Sequence, residues 1–267
     1  MTEPHRITVD LAEGQVVIEG LDGVTRHALG TPEAFAAVSR AWLRCGWDVK
    51  YVYTFSWLGR PVIQLPEDLV RVQEALYAEK PDVIVETGVA HGGSLVFYAT
   101  LCQAMGRGRV IGIDVKIRPE NREALEGHEL ARWIALVEGD STAPDVVASV
   151  RGQIRPGERV FVVLDSAHTR QHVLAELEAY APLVSGGSYL VVADGVMKDF
   201  ANAARAGRDW AWDNPHAAIQ DFLARHPEFA VDPPRWPFNE SDALVRDVVT
   251  YWPDGWLRRR PASGDDR

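Results

Sequence analysis

The chain has 267 residues, 46% hydrophobic and 25% charged with no biased tract, so it can bury a full core, and disordered, collagen-like or fibrous readings are excluded. Its formal net charge of −10, from 28 basic and 38 acidic residues, disfavours nucleic acid as a partner, because phosphate binding is built on Lys and Arg. Apolar runs such as 160–164 and 188–193 are strand-length, far below the roughly 18 residues of a bilayer span, and the first thirty residues lack the apolar stretch of a secretory leader, so a cytoplasmic protein without membrane contact is expected.

Alternation at Ile7, Val9 and Leu11, then at Val16, Val17 and Ile18, around Glu13-Gly14 predicts a β-hairpin over residues 7–19. Thr31-Pro32-Glu33 offers an N-cap, a proline at the first helical position and an early acid, so a helix is expected to start there. An aromatic stretch follows at Trp42, Trp47, Tyr51, Tyr53, Phe55 and Trp57. Residues 1–80 are read as an N-terminal cap with a role in oligomerisation or on the substrate side, 81–260 as the main domain and 261–267 as a disordered tail. Cys45 and Cys102, 57 positions apart and in no C-x-x-C pair, are read as small buried hydrophobes.

From Pro81 onward, strands are expected at 83–86, 110–114, 134–137, 160–165 and 189–194, with helices near 92–105, 120–132, 143–152 and 168–181. Such alternation, with nearly continuous apolar strands, predicts an α/β fold with a mostly parallel sheet covered on both faces. Ligands of these sheets bind beyond the carboxyl ends of the strands. Glu86, Asp114, Asp165 and Asp194 each end one of the apolar runs, and Asp140 comes three residues after another. Past Asp194 the chain is irregular and Trp-rich, then a helix is expected near 215–225. Strands near 229–232 and 247–252 would form an antiparallel hairpin on the sheet edge, and the Arg258-Arg259-Arg260 run is read as a solvated end.

The first strand of this region runs into Glu86-Thr87-Gly88-Val89-Ala90-His91-Gly92-Gly93-Ser94. Glycines at a strand-to-helix turn let the backbone approach a ligand, and the helix start offers free N–H groups. A dinucleotide fold would want G-x-G-x-x-G, whereas here an acid stands two residues before the first glycine. That carboxylate would repel a pyrophosphate and suits the ammonium of an amino-acid group, as in S-adenosylmethionine (SAM) methyltransferases. Glu86, Gly88, His91, Gly92 and Ser94 are therefore candidate cofactor contacts. Asp114 could accept from ribose hydroxyls, and Asp140-Ser141 could meet an adenine edge or cap the next helix.

A second constellation combines Asp165, His168 and Asp194. Two carboxylates on one sheet rim suit a hard divalent cation, with magnesium the natural candidate, and Asp165 stands at the border of the cofactor turn as well. His168 is placed to take a proton from a bound hydroxyl. The alternative is that His168 caps its helix and the acids are surface residues. His172, one helical turn on, is read as a supporting partner or an exposed side chain.

With these residues assembled, the sequence resembles the family that groups so-called cephalosporin hydroxylases with rhamnosyl O-methyltransferases. The matching pieces are Trp57-Leu58-Gly59-Arg60-Pro61 with Gln64 and Pro66-Glu67-Asp68, Lys80 to Gly88 with Gly92-Gly93-Ser94, and Glu138-Gly139-Asp140-Ser141. Leu164-Asp165-Ser166 with His168-Thr169, Tyr180 to Val184 and Gly187 to Val192 complete the set. The resemblance implies a Rossmann-like SAM-dependent methyltransferase fold, SAM at Glu86, Gly88, Asp114 and Asp140, Mg²⁺ at Asp165 and Asp194, and His168 as base. It also implies O-methylation of a rhamnose-type deoxysugar, TDP-activated as in enediyne antibiotic pathways, by a homo-oligomer. At position 193, where related members often carry Glu, this chain has Ala193, with Asp199 as a possible replacement ligand. Trp210, Trp212, Trp236 and Phe238 could line the acceptor side, and Arg205 or Arg208 could meet a diphosphate.

Other readings share parts of the pattern. A catechol-type or other small-molecule O-methyltransferase would use the same fold and metal, and acceptor screening separates the two. An oxygenase component would need two His and a carboxylate to hold iron, and the His-x-Asp/Glu pair usual for such a site is read as absent. A SAM-binding subunit without activity could dispense with Asp165, His168 and Asp194.

Overall fold

The computed structural model describes residues 6–241 and 249–261. Over these residues the chain falls into two compact units, one from Met1–Tyr51 and Trp236–Thr250, the other from Val52–Arg235 and Tyr251–Arg267. Residues 52–80, grouped with the N-terminal cap in the sequence reading, thus cluster with the second unit.

The first unit holds β1 (Arg6–Asp10), β2 (Gln15–Gly20), β3 (Gly23–Ala28) and α1 (Pro32–Asp48). The expected hairpin is present, with Val9 opposite Val16 and Asp10 opposite Gln15, and β3 adds a third antiparallel strand that the sequence reading did not place. Helix α1 starts where the capping signal puts it, with the Thr31 hydroxyl accepting from the Ala34 N–H at 3.3 Å. Val16, Ala34 and Ala37 form its small core. Cys45 is exposed, against expectation, because it lies on the outer face of α1, while Cys102 is buried.

In the second unit, β4 (Phe55–Trp57) and β5 (Arg60–Val62) make a short hairpin that leads into α2 (Pro66–Glu79). Then follow β6 (Val83–Thr87), α3 (Gly93–Met105), β7 (Val110–Asp114), α4 (Pro119–Glu126), β8 (Ile134–Glu138) and α5 (Pro144–Gly152). The last elements are β9 (Val160–Leu164), α6 (Arg170–Tyr180), β10 (Tyr189–Val192), α7 (Pro215–Leu223), β11 (Phe229–Val231) and β12 (Trp256–Arg259). Among the described residues seven strands form one sheet in the order β11-β12-β10-β9-β6-β7-β8. Strands β6 to β10 are mutually parallel, and β12 runs antiparallel to both β10 and β11.

The mostly parallel sheet follows from composition: β6 and β9 are buried at every position, so both faces need cover, and helices supply it. Val83, Val85, Ile111, Val162, Leu177, Leu190 and Phe222 belong to one core cluster, and burying each such side chain contributes about 1.5–3 kcal/mol. Helix α4 stops at Glu126, short of the expected 120–132, because Gly127 ends it and only a brief 3₁₀ turn follows at Ala131–Trp133.

The edge strand differs from expectation. Residues 247–248 lie outside the described residues, and 249–252 carry no strand; the partner of β11 is β12. The reason is local: Pro253-Asp254-Gly255 forms a turn, Asp254 has a positive φ of 58°, and the Gly255 N–H closes onto the Trp252 carbonyl at 2.9 Å. Apolar alternation resumes only at Trp256-Leu257. Consequently Arg258 and Arg259 sit within the strand instead of a solvated end. Arg259 Nη1 donates to the Val184 carbonyl at 2.6 Å, and Arg258 lies 5.3 Å from the Tyr189 ring centre.

Candidate active site

The sheet order reverses between β6 and β9, the switch point at which open α/β sheets leave a crevice beyond the carboxyl ends of their strands. A cavity of about 350 Å³ occupies this place, lined by Gly88, Asp114, Asp140, Ser141, Asp165 and His172 among others. Gly88, with φ +93°, crosses so close to β9 that a Cβ would stand 2.0 Å from the Asp165 carbonyl oxygen. Only glycine fits there. Gly92, with φ +80°, caps α3, and a Cβ on it would strike the Leu125 side chain at 2.6 Å.

The acids of the glycine turn are held by the protein itself. Glu86 is fully buried and accepts from the Ser94 hydroxyl at 2.6 Å and the Tyr98 hydroxyl at 3.0 Å. Burial pushes its carboxyl up to about 8. Asp114 accepts from the Val89 and Ala90 N–H groups at 2.9 and 3.1 Å and from the Lys116 N–H at 3.0 Å, so its carboxylate ties β7 to the turn while lining the cavity. Asp140 accepts from the Thr142 N–H at 2.9 Å and the Thr142 hydroxyl at 2.8 Å, and these bonds hold it below the usual carboxylate range. Of the expected cofactor residues, Gly88, Asp114, Asp140, Ser141 and Asp165 therefore line the cavity. Glu86, His91, Gly92 and Ser94 do not: Glu86 and Ser94 bond each other, and the His91 carbonyl accepts from Arg60 Nη2 at 2.6 Å.

Asp165, His168 and Asp194 come together, each with a ligand atom within 4.8 Å of the others. His168 Nε2 stands 3.5 Å from Asp194 Oδ2. His168 does not cap α6; Thr169 does, accepting from the His172 N–H at 3.3 Å. Asp194 is the residue directly after the short stretch 189–193 and adopts a left-handed φ of 57°, a conformation costing about 1 kcal/mol outside glycine and found where side chains are held for a task. Burial holds both carboxyl groups well above the usual range, and for Asp165 the Asp194 charge adds to it. Two carboxyls crowded with an imidazole and short of donors form a hard, negative donor set that fits Mg²⁺, which takes one or two protein carboxylates and fills its shell with other oxygens. Ala193, buried, adds no carboxylate, and Asp199 is held by Lys198 at 2.9 Å outside the cluster.

Several neighbours were not visible as site residues in the sequence. Glu176 is fully buried and accepts from the Ser141 hydroxyl at 2.5 Å and the Ser166 hydroxyl at 2.7 Å, with His172 Nε2 at 3.4 Å. That hydrogen bond raises the His172 pKa, and the ring lines the cavity. The available signal was a carboxylate inside the apolar stripe Val173, Leu177 and Tyr180 of α6. Gln64, buried, donates from Nε2 to Asp165 Oδ2 at 3.3 Å. Trp212 is exposed, Trp210 does not line the cavity, and Arg205 lies 5.8 Å from the Tyr53 ring centre. The chain does carry one His-x-Glu triplet, His226-Pro227-Glu228, but there His226 bridges Glu178 at 2.9 Å and Glu228 at 3.0 Å, far along the chain from the cluster.

A sequence profile described as rhamnosyl O-methyltransferase/CmcI matches residues 49–260. The chain belongs to this family. By that membership it is an O-methyltransferase, and the sheet described above is the fold of the SAM-dependent enzymes. A rhamnosyl O-methyltransferase of Mycobacterium leprae is 29% identical over 65% of this chain and 72% of its own length. That of Mycobacterium bovis BCG is 32% identical over 48% of this chain, a match that spans about half, 51%, of the relative. Among solved structures, apo CmcI superposes with a TM-score of 0.54 at 20% identity, covering 79% of this chain and 78% of the other. A CmcI structure described as Mg-SAM gives 0.52 at 20% identity, covering 78% and 77%. Among the described residues, no helix is long and apolar enough to cross a membrane.

Proposed function

We propose that the protein transfers a methyl group from SAM to a hydroxyl of a rhamnose-type deoxysugar, TDP-activated and on a natural-product route of the enediyne kind. The observation that carries this reading is the meeting of Asp165, His168 and Asp194 at the Asp165 border of the cavity beyond β6 and β9. Family membership supports the sugar as acceptor class, since the mycobacterial relatives are rhamnosyl O-methyltransferases.

Gly88, Asp114, Asp140 and Ser141, which line the cavity, would hold SAM there, the two aspartates accepting from its polar groups. Glu86 and Ser94 act from behind, keeping the turn in shape. Asp165 and Asp194 would hold Mg²⁺, which would supply positive charge against the charge developing on the sugar oxygen. His168 Nε2 takes the hydroxyl proton, and Asp194, 3.5 Å away, steadies the imidazolium that results. The alkoxide oxygen then forms its bond to the methyl carbon as the sulfonium bond breaks. We read the protein as a cytoplasmic homo-oligomer; Phe35 and Trp42, exposed on the first unit, are apolar surface that subunit contact would cover.

The test is methyl transfer from SAM to a panel of TDP-deoxysugars and catechols, with and without EDTA, alongside His168→Ala. Product on TDP-rhamnose that disappears with EDTA and with the substitution is expected. Turnover indifferent to EDTA removes the metal, and transfer to catechols alone replaces the acceptor.

A further inference from the structure

Gln64 stands in the connection between β5 and α2, 101 residues from Asp165 in the chain, yet only 5% of it is exposed and its Nε2 donates to Asp165 Oδ2 at 3.3 Å. Its Oε1 is buried and has no hydrogen-bond partner among the described residues. An acceptor left in this state is costly, so a retained amide here needs a reason, and its donor side supplies one. The hydrogen bond to Asp165 orients the amide, since the reverse orientation would set its oxygen against a carboxylate. The amide nitrogen is thereby fixed against Asp165, one of the three residues of the Asp165, His168 and Asp194 cluster.

The backbone around Gln64 is anchored on both sides. Arg60 donates from Nη2 to the His91 carbonyl at 2.6 Å and to Asn121 Oδ1 at 2.8 Å. A Cβ on Gly93 would lie 2.2 Å from the Pro61 carbonyl oxygen, so the segment presses directly on the start of α3. On the other side Leu65, just before α2, is buried with the helix stripe Leu69, Val72 and Leu76, and Asp68 accepts from the Tyr251 N–H at 2.9 Å. A side chain carried on such a support loses little entropy in holding one rotamer, which is what a group that orients a ligand needs.

We infer that Gln64 is a positioning residue of the metal site: by donating to Asp165 Oδ2 it sets the plane of the Asp165 carboxylate toward the cluster. This rests on the reading of Asp165 and Asp194 as cation ligands. In the sequence Gln64 stands only as one of the pieces that carry the family resemblance, and the contact with Asp165 places it at the site.

The test titrates Mn²⁺ into the full chain by electron paramagnetic resonance and water-proton relaxation, and S-adenosylhomocysteine by calorimetry. Wild type, Asp165→Asn and Gln64→Met are compared, the last keeping the side-chain volume without donor or acceptor. Gln64→Met is expected to weaken Mn²⁺ binding by about 10-fold or more, with an altered relaxation signal and unchanged homocysteine-ligand affinity. Mn²⁺ affinity equal to wild type overturns the inference, as does a parallel loss of both ligands, which would make the role structural. A wild type that does not bind Mn²⁺ defeats the metal reading itself, and Asp165→Asn indistinguishable from wild type does the same. If Gln64→Met does not fold, Gln64→Asn, whose shorter amide falls short of Asp165, is measured against the same outcomes.

Discussion

Acids end the strands on both sides of the switch point, but they are treated in opposite ways. On the β6 and β7 side, Glu86 and Asp114 accept from the Ser94 and Tyr98 hydroxyls and from the Val89, Ala90 and Lys116 N–H groups. On the β9 and β10 side, among the described residues Asp165 accepts from the Gln64 side chain, and Asp194 lies beside His168 and Asp165. The first pair holds a loop in shape. The second pair keeps its lone pairs for something that comes from outside, while burial raises the pKa on both sides of the switch point, for Glu86 as for Asp165 and Asp194.

The sharpest way to break this contrast is to remove one open acid. Asp165→Asn or Asp194→Asn is expected to lower methyl transfer by about 10³-fold or more, the rate equivalent of several kcal/mol of lost charge stabilisation. Melting temperature should stay level or rise, because like charges are separated; a marked fall would move these acids into the structural class. Glu86 predicts a pH effect. Glu86 is raised from its ordinary 4.5 to about 8 in the folded chain, so the stability it contributes is complete below pH 4.5 and is lost as pH rises toward 8. The loss between pH 5 and pH 8 is on the order of 3 kcal/mol, and Glu86→Gln should flatten that slope in denaturant titrations.

Smaller effects separate catalysis from binding. His168→Ala is expected to reduce kcat by about 10²-fold while leaving cofactor affinity in place, measured by single-turnover transfer and calorimetry. Asp114→Ala frees the Val89 and Ala90 N–H groups and loosens the turn, so the cofactor Kd should rise by about 10-fold with Mn²⁺ binding unchanged. Equal loss of both ligands in Asp114→Ala would erase the distinction between the two halves of the site.

The sheet and its ligand edge were legible because their signals are local. Val83 to Val85 and Val160 to Leu164 are apolar at both strand faces, Gly88 marks a tight turn, and acids stand at the carboxyl ends. The edge strand was misplaced by several residues because apolar content near Tyr251-Trp252 outweighed the turn signal of Pro253-Asp254-Gly255. Arg258 and Arg259 looked like a charged tail because their partners, Glu79, Val184 and Asp232, come from three other segments.

What the sequence by itself determined is the α/β alternation, the glycine turn and the set of strand-end acids, since backbone sterics and the period of apolar residues act over a few neighbouring positions. Tertiary structure decided which acids are closed by the protein and which stay open. That choice depends on donors delivered by distant segments: Tyr98 from α3 reaches Glu86, Gln64 from before α2 reaches Asp165, and Glu176 on α6 gathers Ser141 and Ser166. A buried polar group takes its pKa and its role from such partners, and no local pattern encodes them.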